Sequence, residues 1–286
     1  MAMAKNRKIW TWFEGSWKEG NVPIMGSADH GTWLGTMVFD GARSFEGVAP
    51  DLDRHCARVN HSAGVMGLKP TLSTAEMMEL CEEGLGKFSP DAATYIRPMY
   101  WSRSGGHMTV DADPDSTAFA LCIEEASLGP PTGFAVTTTR YTRPTLASNL
   151  TNAKASCLYP NNARMLREAH EKGAQNAIVC DALGNVAETA TSNIFMAKNG
   201  EVFTPVPNGT FLNGITRQRV IKLLRDAGIT VYETSLTLDD FRAADEIFST
   251  GNYSKVQPIV KFDGHEPGPG PLTQTARDLY WEWAHA

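Results

Sequence analysis

Two consecutive prolines near the middle of the chain set the strongest limit on its fold. Pro130 and Pro131 lie in a segment of small and turn-forming residues, 126–133. Paired prolines hold the backbone extended and remove two N–H donors, so this segment cannot continue the interior of a sheet. We therefore predict an interdomain linker at 126–133, between an N-terminal domain at 1–125 and a C-terminal domain at 134–286. A length of 286 residues is ample for two domains.

The N-terminal half alternates strand-like with helix-like segments. Stretches rich in β-branched and aromatic residues predict the strands of one sheet, at 8–13, 41–48, 94–101 and 117–124. Helices are predicted at 51–68 and 73–88, and Ser73 followed by Glu76 is typical of a capping box. Strands with segregated helices predict an α+β domain.

The C-terminal half has turn signals between shorter segments. Hydrophobic spacing and turn residues predict, in chain order, a strand at 134–140, a helix at 161–172, an antiparallel meander at 177–202, a helix at 216–226 capped by Thr216, and a last helix at 272–283.

Charge and composition exclude several classes of protein. The hydrophobic content of 42% is ordinary for a globular chain, and the net charge of −6 argues against a nucleic-acid partner. The polar N-terminus has no signal-peptide core, and no apolar run is long enough to span a membrane. We therefore expect a cytoplasmic protein without a membrane partner.

The five cysteines do not form a metal or disulfide framework. They are Cys56, Cys81, Cys122, Cys157 and Cys180, widely spaced and without a Cys-x-x-Cys pair. We expect buried free thiols and no metal site.

Four segments of the C-terminal half suggest chemistry, at 151–154, 187–195, 212–217 and 249–256. Lys154 stands in the uncharged sequence NAKASC, where an amine could lose its proton, although a single lysine is usually a solvated surface charge. Residues 214–216 lie at the start of a predicted helix, whose first N–H groups suit a phosphate, but Thr216 could simply cap that helix. Residues 251–254 form a polar turn that could bind an anion or merely connect two strands.

The order of several short motifs resembles the branched-chain amino acid aminotransferase family. This family belongs to the fold type IV group of pyridoxal 5'-phosphate (PLP) enzymes, which includes the D-amino acid aminotransferases. The motifs are GTMVFDG at 35–41, HCAR at 55–58, YIRP at 95–98, NAK at 152–154 followed by Tyr159, Glu188 ahead of SNIF at 192–195, GITR at 214–217, and AADEIF at 243–248 leading into Thr250 and Gly251.

The resemblance implies a fold as well as an activity. It implies a two-domain α+β fold of the D-amino acid aminotransferase type, with a small N-terminal α/β sandwich and a larger C-terminal β-barrel-like domain. Members of this group commonly form dimers, so a homodimer or higher homo-oligomer is expected.

The resemblance also implies PLP as the cofactor and a role for each residue that binds it. Lys154 would hold PLP as an internal aldimine and then move the proton between substrate and cofactor. Glu188 would pair with the pyridine nitrogen, Tyr159 would donate to the phenolic oxygen, and Leu212 would pack on the ring. The phosphate would be bound by Arg58, Ile215 and Thr216, with Asn252 near by.

The predicted substrate residues are Leu34, Phe39, Tyr95, Arg97 and Tyr253. Leu34 stands where typical branched-chain members have a tyrosine, and Tyr253 adds a bulky side chain to a turn that usually reads GTAA. Arg97 stands at a position that can meet the distal carboxylate of glutamate or 2-oxoglutarate in the family, or it could pair with a neighbour across the sheet.

We therefore expect an aminotransferase that moves an amino group between an apolar, branched-chain-like amino acid and a 2-oxo acid such as 2-oxoglutarate. On the same fold, the alternatives are a D-amino acid or (R)-amine transaminase and an aminodeoxychorismate lyase. A non-catalytic binding module is the alternative from another class.

Overall fold

The computed structural model describes residues 7–286. Residues 1–6, which the predicted N-terminal domain includes, lie outside the described residues. The chain folds as two compact units. The first contains the described residues up to Leu128 together with Asn152–Cys157, and the second contains Gly129–Thr151 and Leu158–Ala286. The chain first passes from one unit to the other between Leu128 and Gly129, inside the segment 126–133. The short segment that carries Lys154 belongs to the first unit.

The first unit is built on a six-stranded antiparallel sheet. Its strands are β1 (Ile9–Phe13), β2 (Ser16–Glu19), β3 (Met37–Phe39), β4 (Ala42–Ser44), β5 (Thr94–Ser102) and β6 (Thr117–Glu125). They follow the order β2-β1-β6-β5-β3, and β4 pairs with another part of β5. The alternation of side chains along β5 sends successive residues to opposite faces of this sheet.

Three helices accompany this sheet: α1 (His30–Trp33), α2 (Leu52–Val65) and α3 (Thr74–Leu85). Ser73 accepts the Glu76 N–H and Glu76 accepts the Ser73 N–H, so the predicted capping box is confirmed. Helices α2 and α3 pack against β5 and β6. At Gly84 of α3 an added Cβ would lie 2.6 Å from the Ile123 side chain, so glycine permits the close approach of helix and sheet.

The second unit contains an eight-stranded sheet. Its strands are β7 (Phe134–Thr142), β8 (Asn176–Cys180), β9 (Val186–Thr189), β10 (Asn193–Lys198), β11 (Glu201–Pro205), β12 (Val231–Thr234), β13 (Glu246–Gly251) and β14 (Lys255–Phe262). Their order is β12-β11-β10-β13-β14-β7-β8-β9. The edge strand β9 also contacts β10 and β11, so the sheet curls into a half-barrel.

The predicted continuous meander at 177–202 is wrong at one place. Strands β8 and β9 pair antiparallel, as do β10 and β11, but β10 takes β13 as its other partner instead of β9. The reason is a long-range pairing that local turn signals cannot show. The turns at Gly184 and at Asn199–Gly200 are confirmed, and all three of these residues have positive φ.

The helices of the second unit are α4 (Tyr159–Glu171), α5 (Ile215–Asp226), α6 (Leu238–Arg242) and α7 (Pro271–His285). Helix α4 begins before the predicted residue 161, because Pro160 is tolerated in the first helical turn. Helix α5 begins at Ile215 with Gly214 as its N-cap, so the predicted Thr216 cap is wrong. Short 3₁₀ helices occur at Pro114–Ser116 and Ser156–Leu158.

The cysteines are free thiols, as predicted, but not all are buried. Cys56 and Cys81 are buried, Cys122 and Cys180 are half-buried, and Cys157 is exposed. Within residues 7–286, none of the helices combines the length and the apolar character needed to cross a membrane.

Candidate functional site

Lys154 is held by its backbone between a helix and a strand of the first unit. Its N–H donates to Ser62 Oγ on α2 at 3.0 Å, and its carbonyl accepts the Phe39 N–H at 3.1 Å. The flanking residues Ala153 and Ala155 are fully buried. The Nζ atom lies 5.0 Å from the centroid of the Phe39 ring. The lysine backbone is therefore fixed, and its amine has a defined position over an aromatic ring.

A buried carboxylate holds Arg58. Asp40 Oδ2 accepts the Nε–H of Arg58 at 2.6 Å, and Asp40 Oδ1 accepts from a terminal nitrogen of the same guanidinium at 2.8 Å. His55 Nδ1 lies 2.7 Å from Asp40 Oδ1, and the Gly41 N–H donates to the same oxygen. Burial alone would raise the pKa of Asp40, but the charges and hydrogen bonds of Arg58 and His55 hold it well below its usual range.

Helix α2 brings Arg58 and Lys154 together. Ser62, which binds the Lys154 N–H, follows Arg58 by one helical turn and therefore lies on the same face of α2. Asp40, which binds Arg58, directly follows Phe39, which binds the Lys154 carbonyl. The structure thus places two of the predicted cofactor residues in one cluster.

Three of the predicted substrate residues share one face of the N-terminal sheet. Phe39 pairs with Met99 of β5, and Arg97 and Tyr95 follow at alternate positions of the same strand. Arg97 donates to Glu124 Oε1 at 2.5 Å, and its guanidinium carbon lies 4.8 Å from the Tyr95 ring centroid. The arginine therefore pairs across the sheet, which was one of the two expectations for it.

The other two predicted substrate residues are more exposed. Leu34 follows the last residue of α1 and is 38% exposed, and Trp33 beside it is 59% exposed. Tyr253 belongs to the second unit, in the turn between β13 and β14, and is 47% exposed. An added Cβ at Gly129 would lie 3.0 Å from the Tyr253 ring, so that glycine passes close beside it.

In the second unit, Glu188 is held by an arginine and an amide. Its Oε1 lies 3.1 Å from a terminal nitrogen of Arg143, and its Oε2 accepts from Asn193 Nδ2 at 3.3 Å. Arg143 also donates to the carbonyls of Thr189 and Ala190. Arg143 therefore pairs with Glu188 through an ion pair whose two side chains are both largely buried.

Asn193 connects Glu188 to the start of α5. Its amide nitrogen donates to the Leu212 carbonyl at 3.0 Å, and its Oδ1 accepts the Gly214 N–H at 3.1 Å. An added Cβ at Gly214 would overlap that Oδ1, so only glycine fits. Ile215 and Thr216 are buried at the first turn of α5, where backbone N–H groups have no acceptor within the helix. A phosphate is the kind of ligand that such a helix start binds.

Unsatisfied polar atoms lie at the end of β13 and in the turn that follows it. Thr250 pairs with Asn193 in the sheet. Among residues 7–286 the structure gives no hydrogen-bond partner to three buried polar atoms here: Thr250 Oγ1, Asn252 Nδ2 and Ser254 Oγ. The buried Lys255 donates to Asn252 Oδ1 at 2.9 Å, and this bond fixes which end of the amide is left for a ligand. These donors fit a phosphorylated cofactor such as PLP.

Sequence reasoning missed three residues that organise these clusters: Asp40, Arg143 and Asn193. Asp40 and Asn193 stand inside the quoted motifs 35–41 and 192–195, so the motifs signalled their segments without their roles. No local signal marks Arg143, because its partner lies far along the chain. Tyr159 is the first residue of α4 and is half-buried.

Comparison with known proteins agrees with this geometry over nearly the whole chain. Residues 37–262 match the family model "Amino-transferase class IV". A curated branched-chain-amino-acid aminotransferase of Pseudomonas aeruginosa is 30% identical over 298 residues, covering 99% of this chain and 94% of that protein.

Solved structures extend the agreement to the fold. An aminotransferase from Brucella abortus, bound to PLP, is 62% identical with a TM-score of 0.97, covering 98% of this chain and 100% of that one. A branched-chain amino acid aminotransferase of T.th., complexed with N-(5'-phosphopyridoxyl)-L-glutamate, has a TM-score of 0.88 at 26% identity, covering 96% of this chain and 93% of that one. The expected fold and cofactor are confirmed, and the chain belongs to the class IV aminotransferases, as a PLP-dependent aminotransferase of fold type IV.

Proposed function

We propose that this aminotransferase moves an amino group between an apolar, branched-chain-like L-amino acid and a 2-oxo acid such as 2-oxoglutarate. The observation that carries the proposal is the sheet face of the first unit, which has apolar side chains at Phe39 and Met99 and a cation at Arg97. An apolar substrate side chain suits Phe39 and Met99, and a distal carboxylate suits Arg97. The named activity of the Pseudomonas relative and the glutamate adduct in the T.th. structure also support it.

We propose the cofactor roles that the resemblance implies. PLP, when bound, supplies a ring that accepts electrons from the substrate Cα. Glu188 is held by its ion pair with Arg143 and by the hydrogen bond from Asn193. Its carboxylate would place a negative charge beside the pyridine nitrogen. Tyr159 donates to the phenolic oxygen and Leu212 packs on the ring. Four residues would donate to the phosphate: Arg58, Ile215, Thr216 and Asn252.

Lys154 is the proposed catalytic residue. With PLP bound, the Lys154 amine would hold the cofactor, and the freed Nζ would take the proton from the substrate Cα and deliver it to the cofactor C4'. The two backbone hydrogen bonds of Lys154 restrict where that amine can reach. A proton acceptor held in this way loses less conformational freedom at the moment of transfer.

A donor and acceptor panel tests the proposed reaction. We expect the purified holoenzyme to form glutamate from 2-oxoglutarate with L-leucine, L-isoleucine or L-valine, and Lys154→Ala to form none. The panel includes D-alanine and both enantiomers of 1-phenylethylamine, and a separate assay follows pyruvate release from aminodeoxychorismate without an acceptor. Turnover restricted to D-alanine or to an (R)-amine would replace the proposal with the corresponding alternative, and acceptor-free pyruvate release would replace it with the lyase.

We also propose that the chain forms a homodimer or higher homo-oligomer and acts in the cytoplasm. Support for assembly comes from large apolar side chains exposed in the first unit: Trp33, Met108 and Val110. His30 Nε2 lies 3.1 Å from the Thr109 carbonyl, so the segments carrying these side chains adjoin one another. Exposed apolar groups that adjoin are typical of an interface. Light scattering on the protein as it elutes from a size-exclusion column measures the oligomeric state. Subcellular fractionation measures the location.

A further inference from the structure

We propose that Glu124 sets the balance between apolar and dicarboxylic substrates, by pairing with Arg97 when the substrate side chain carries no charge. This inference rests on the proposed function, because it takes Arg97 as the residue that meets a distal carboxylate. Glu124 is thus a specificity-determining residue that acts through Arg97. Its carboxylate stands in for the carboxylate that an apolar substrate lacks.

The geometry of β5 and β6 places Glu124 in this role. Arg97 pairs with Cys122 of β6, and Glu124 pairs with Tyr95, so Arg97 and Glu124 are diagonal neighbours on one sheet face. A terminal nitrogen of the arginine lies 2.5 Å from Glu124 Oε1. That contact uses one edge of the guanidinium, which has five N–H donors in total.

The same face connects this ion pair to Lys154. Met99, two residues after Arg97, pairs with Phe39, and the Phe39 ring lies under the Lys154 amine. Successive residues on one face of a strand are about 7 Å apart. The side chains of Phe39 and Met99 therefore connect the Lys154 amine to the strand position of Arg97.

Partial burial makes the charge balance costly to disturb. The side chains of Arg97 and Glu124 are 32% and 17% exposed. An arginine in this setting, facing an apolar substrate without a counter-charge, would lose solvation without compensation. Glu124 removes that cost for apolar substrates, but it also competes with the distal carboxylate of a dicarboxylic one.

A second arginine gives Glu124 an alternative partner. Arg7 Nη1 lies 3.6 Å from Glu124 Oε2, the oxygen that Arg97 does not bind. When a distal carboxylate takes the Arg97 donors, Glu124 still faces a cation. With either substrate class bound, Arg7, Arg97 and Glu124 each have an opposite charge near by. The enzyme can therefore bind apolar and dicarboxylic substrates without leaving a partly buried charge unpaired.

Two non-reacting ligands that differ only in the distal carboxylate test the inference. Glutarate and pentanoate have the same number of carbon atoms, and their dissociation constants for the PLP-loaded enzyme follow from the change in cofactor absorption. We expect Glu124→Gln to raise the preference for glutarate over pentanoate about 10-fold, since the competing charge is removed. Glu125→Gln, at the next residue and on the opposite face of β6, is the matched control and should leave the ratio unchanged.

A double-mutant cycle identifies the route of the effect. In an Arg97→Gln background, Glu124→Gln should no longer change the ratio, because the two residues act as a pair. A ratio within about twofold of wild type in Glu124→Gln, equal changes for both ligands, or no binding of either ligand would overturn the inference. These measurements need no turnover, so a holoenzyme that fails to transaminate L-amino acids rejects the proposed function separately.

Discussion

The position of Arg58 depends on Asp40, a residue that carries no substrate or cofactor role of its own. Asp40 is fully buried and accepts hydrogen bonds from Arg58, His55 and the Gly41 backbone. A guanidinium fixed by two parallel bonds presents its remaining donors in a constant direction. Asp40 is therefore a positioning residue for the proposed phosphate contact.

Replacing Asp40 by asparagine should lower stability and weaken PLP retention together. The variant leaves Arg58 beside a neutral amide, so we expect the free energy of unfolding at pH 7 to fall by about 3 kcal/mol. Asp53→Asn is the matched control, because Asp53 lies on α2, the helix that carries Arg58, but is exposed. Its effect should stay below about 1 kcal/mol. Urea unfolding measures the free energy of unfolding, and titration of the apo-protein with PLP measures the affinity for the cofactor.

The stabilisation by Asp40 should also depend on pH with a defined sign. Its pKa is lowered on folding, so the unfolded chain binds the proton more tightly. The stabilisation is complete above the unfolded value of about 3.9 and decreases as pH falls toward the folded pKa. The stability difference between wild type and Asp40→Asn should be constant near neutral pH and narrow below about pH 4. A difference that stays constant down to about pH 3 would contradict this assignment.

Lys255 should act on PLP through Asn252. The ammonium binds Asn252 Oδ1, and its loss would leave the amide free to rotate its Nδ2 donor away from the phosphate. We expect Lys255→Met to raise the PLP dissociation constant about 10-fold, without a matching loss of stability, because a buried charge is removed at the same time. Lys261→Met, exposed on the same strand, serves as control. Unchanged PLP affinity in Lys255→Met would show that Lys255 has no part in orienting Asn252.

At the scale of elements, local signals predicted some boundaries and missed others. The capping box at Ser73 was predictable because both partners lie within one turn. The start of α5 was not, because local capping rules favour Asn213, Gly214 and Thr216 alike. The hydrogen bond that fixes Gly214 comes from Asn193 of β10, which lies far from it in sequence. The pairing of β10 with β13 was missed for the same reason.

The start of α5 should tolerate no side chain at Gly214. A methyl group there would displace Asn193 Oδ1, and with it the amide that joins Glu188 to Leu212. We expect Gly214→Ala to cost about 1–3 kcal/mol of stability and to weaken PLP binding at least as much as Lys255→Met does. Gly64→Ala is the control, since nothing lies near its added Cβ and alanine favours a helix interior. Normal PLP affinity in Gly214→Ala would remove Asn193 from the cofactor site.

For the whole molecule, the order of motifs predicted more than hydrophobic spacing did. Motifs such as 35–41 and 214–217 carried the fold type and the cofactor, because they record contacts that lie far apart in sequence. Spacing alone could not show that β9 approaches β10. It also could not show that Glu124 pairs with Arg97, or that Arg143 pairs with Glu188. Those contacts arise from sheet order and curl, which no short segment encodes.

The distribution of the proposed contacts gives a prediction for the molecule as a whole. PLP added to the apo-protein should slow amide hydrogen exchange in five separate segments: 55–62, 151–155, 186–193, 212–218 and 249–255. Ligand binding lowers the population of locally open states wherever it makes contacts. Exchange measured by mass spectrometry resolves these segments, and slowing confined to one of them would contradict the proposed set of residues.

Pyridoxal, which lacks the phosphate, separates the two kinds of contact within that set. Its aldehyde and ring can still meet Lys154 and Glu188, so segments 151–155 and 186–193 should remain protected. Segments 55–62, 212–218 and 249–255 should lose most of their protection, because the donors of Arg58, of the start of α5 and of Asn252 have no anion to bind. Equal protection of all segments by pyridoxal and PLP would show that these donors do not bind the phosphate, and would require another role for the unsatisfied atoms at 250–254.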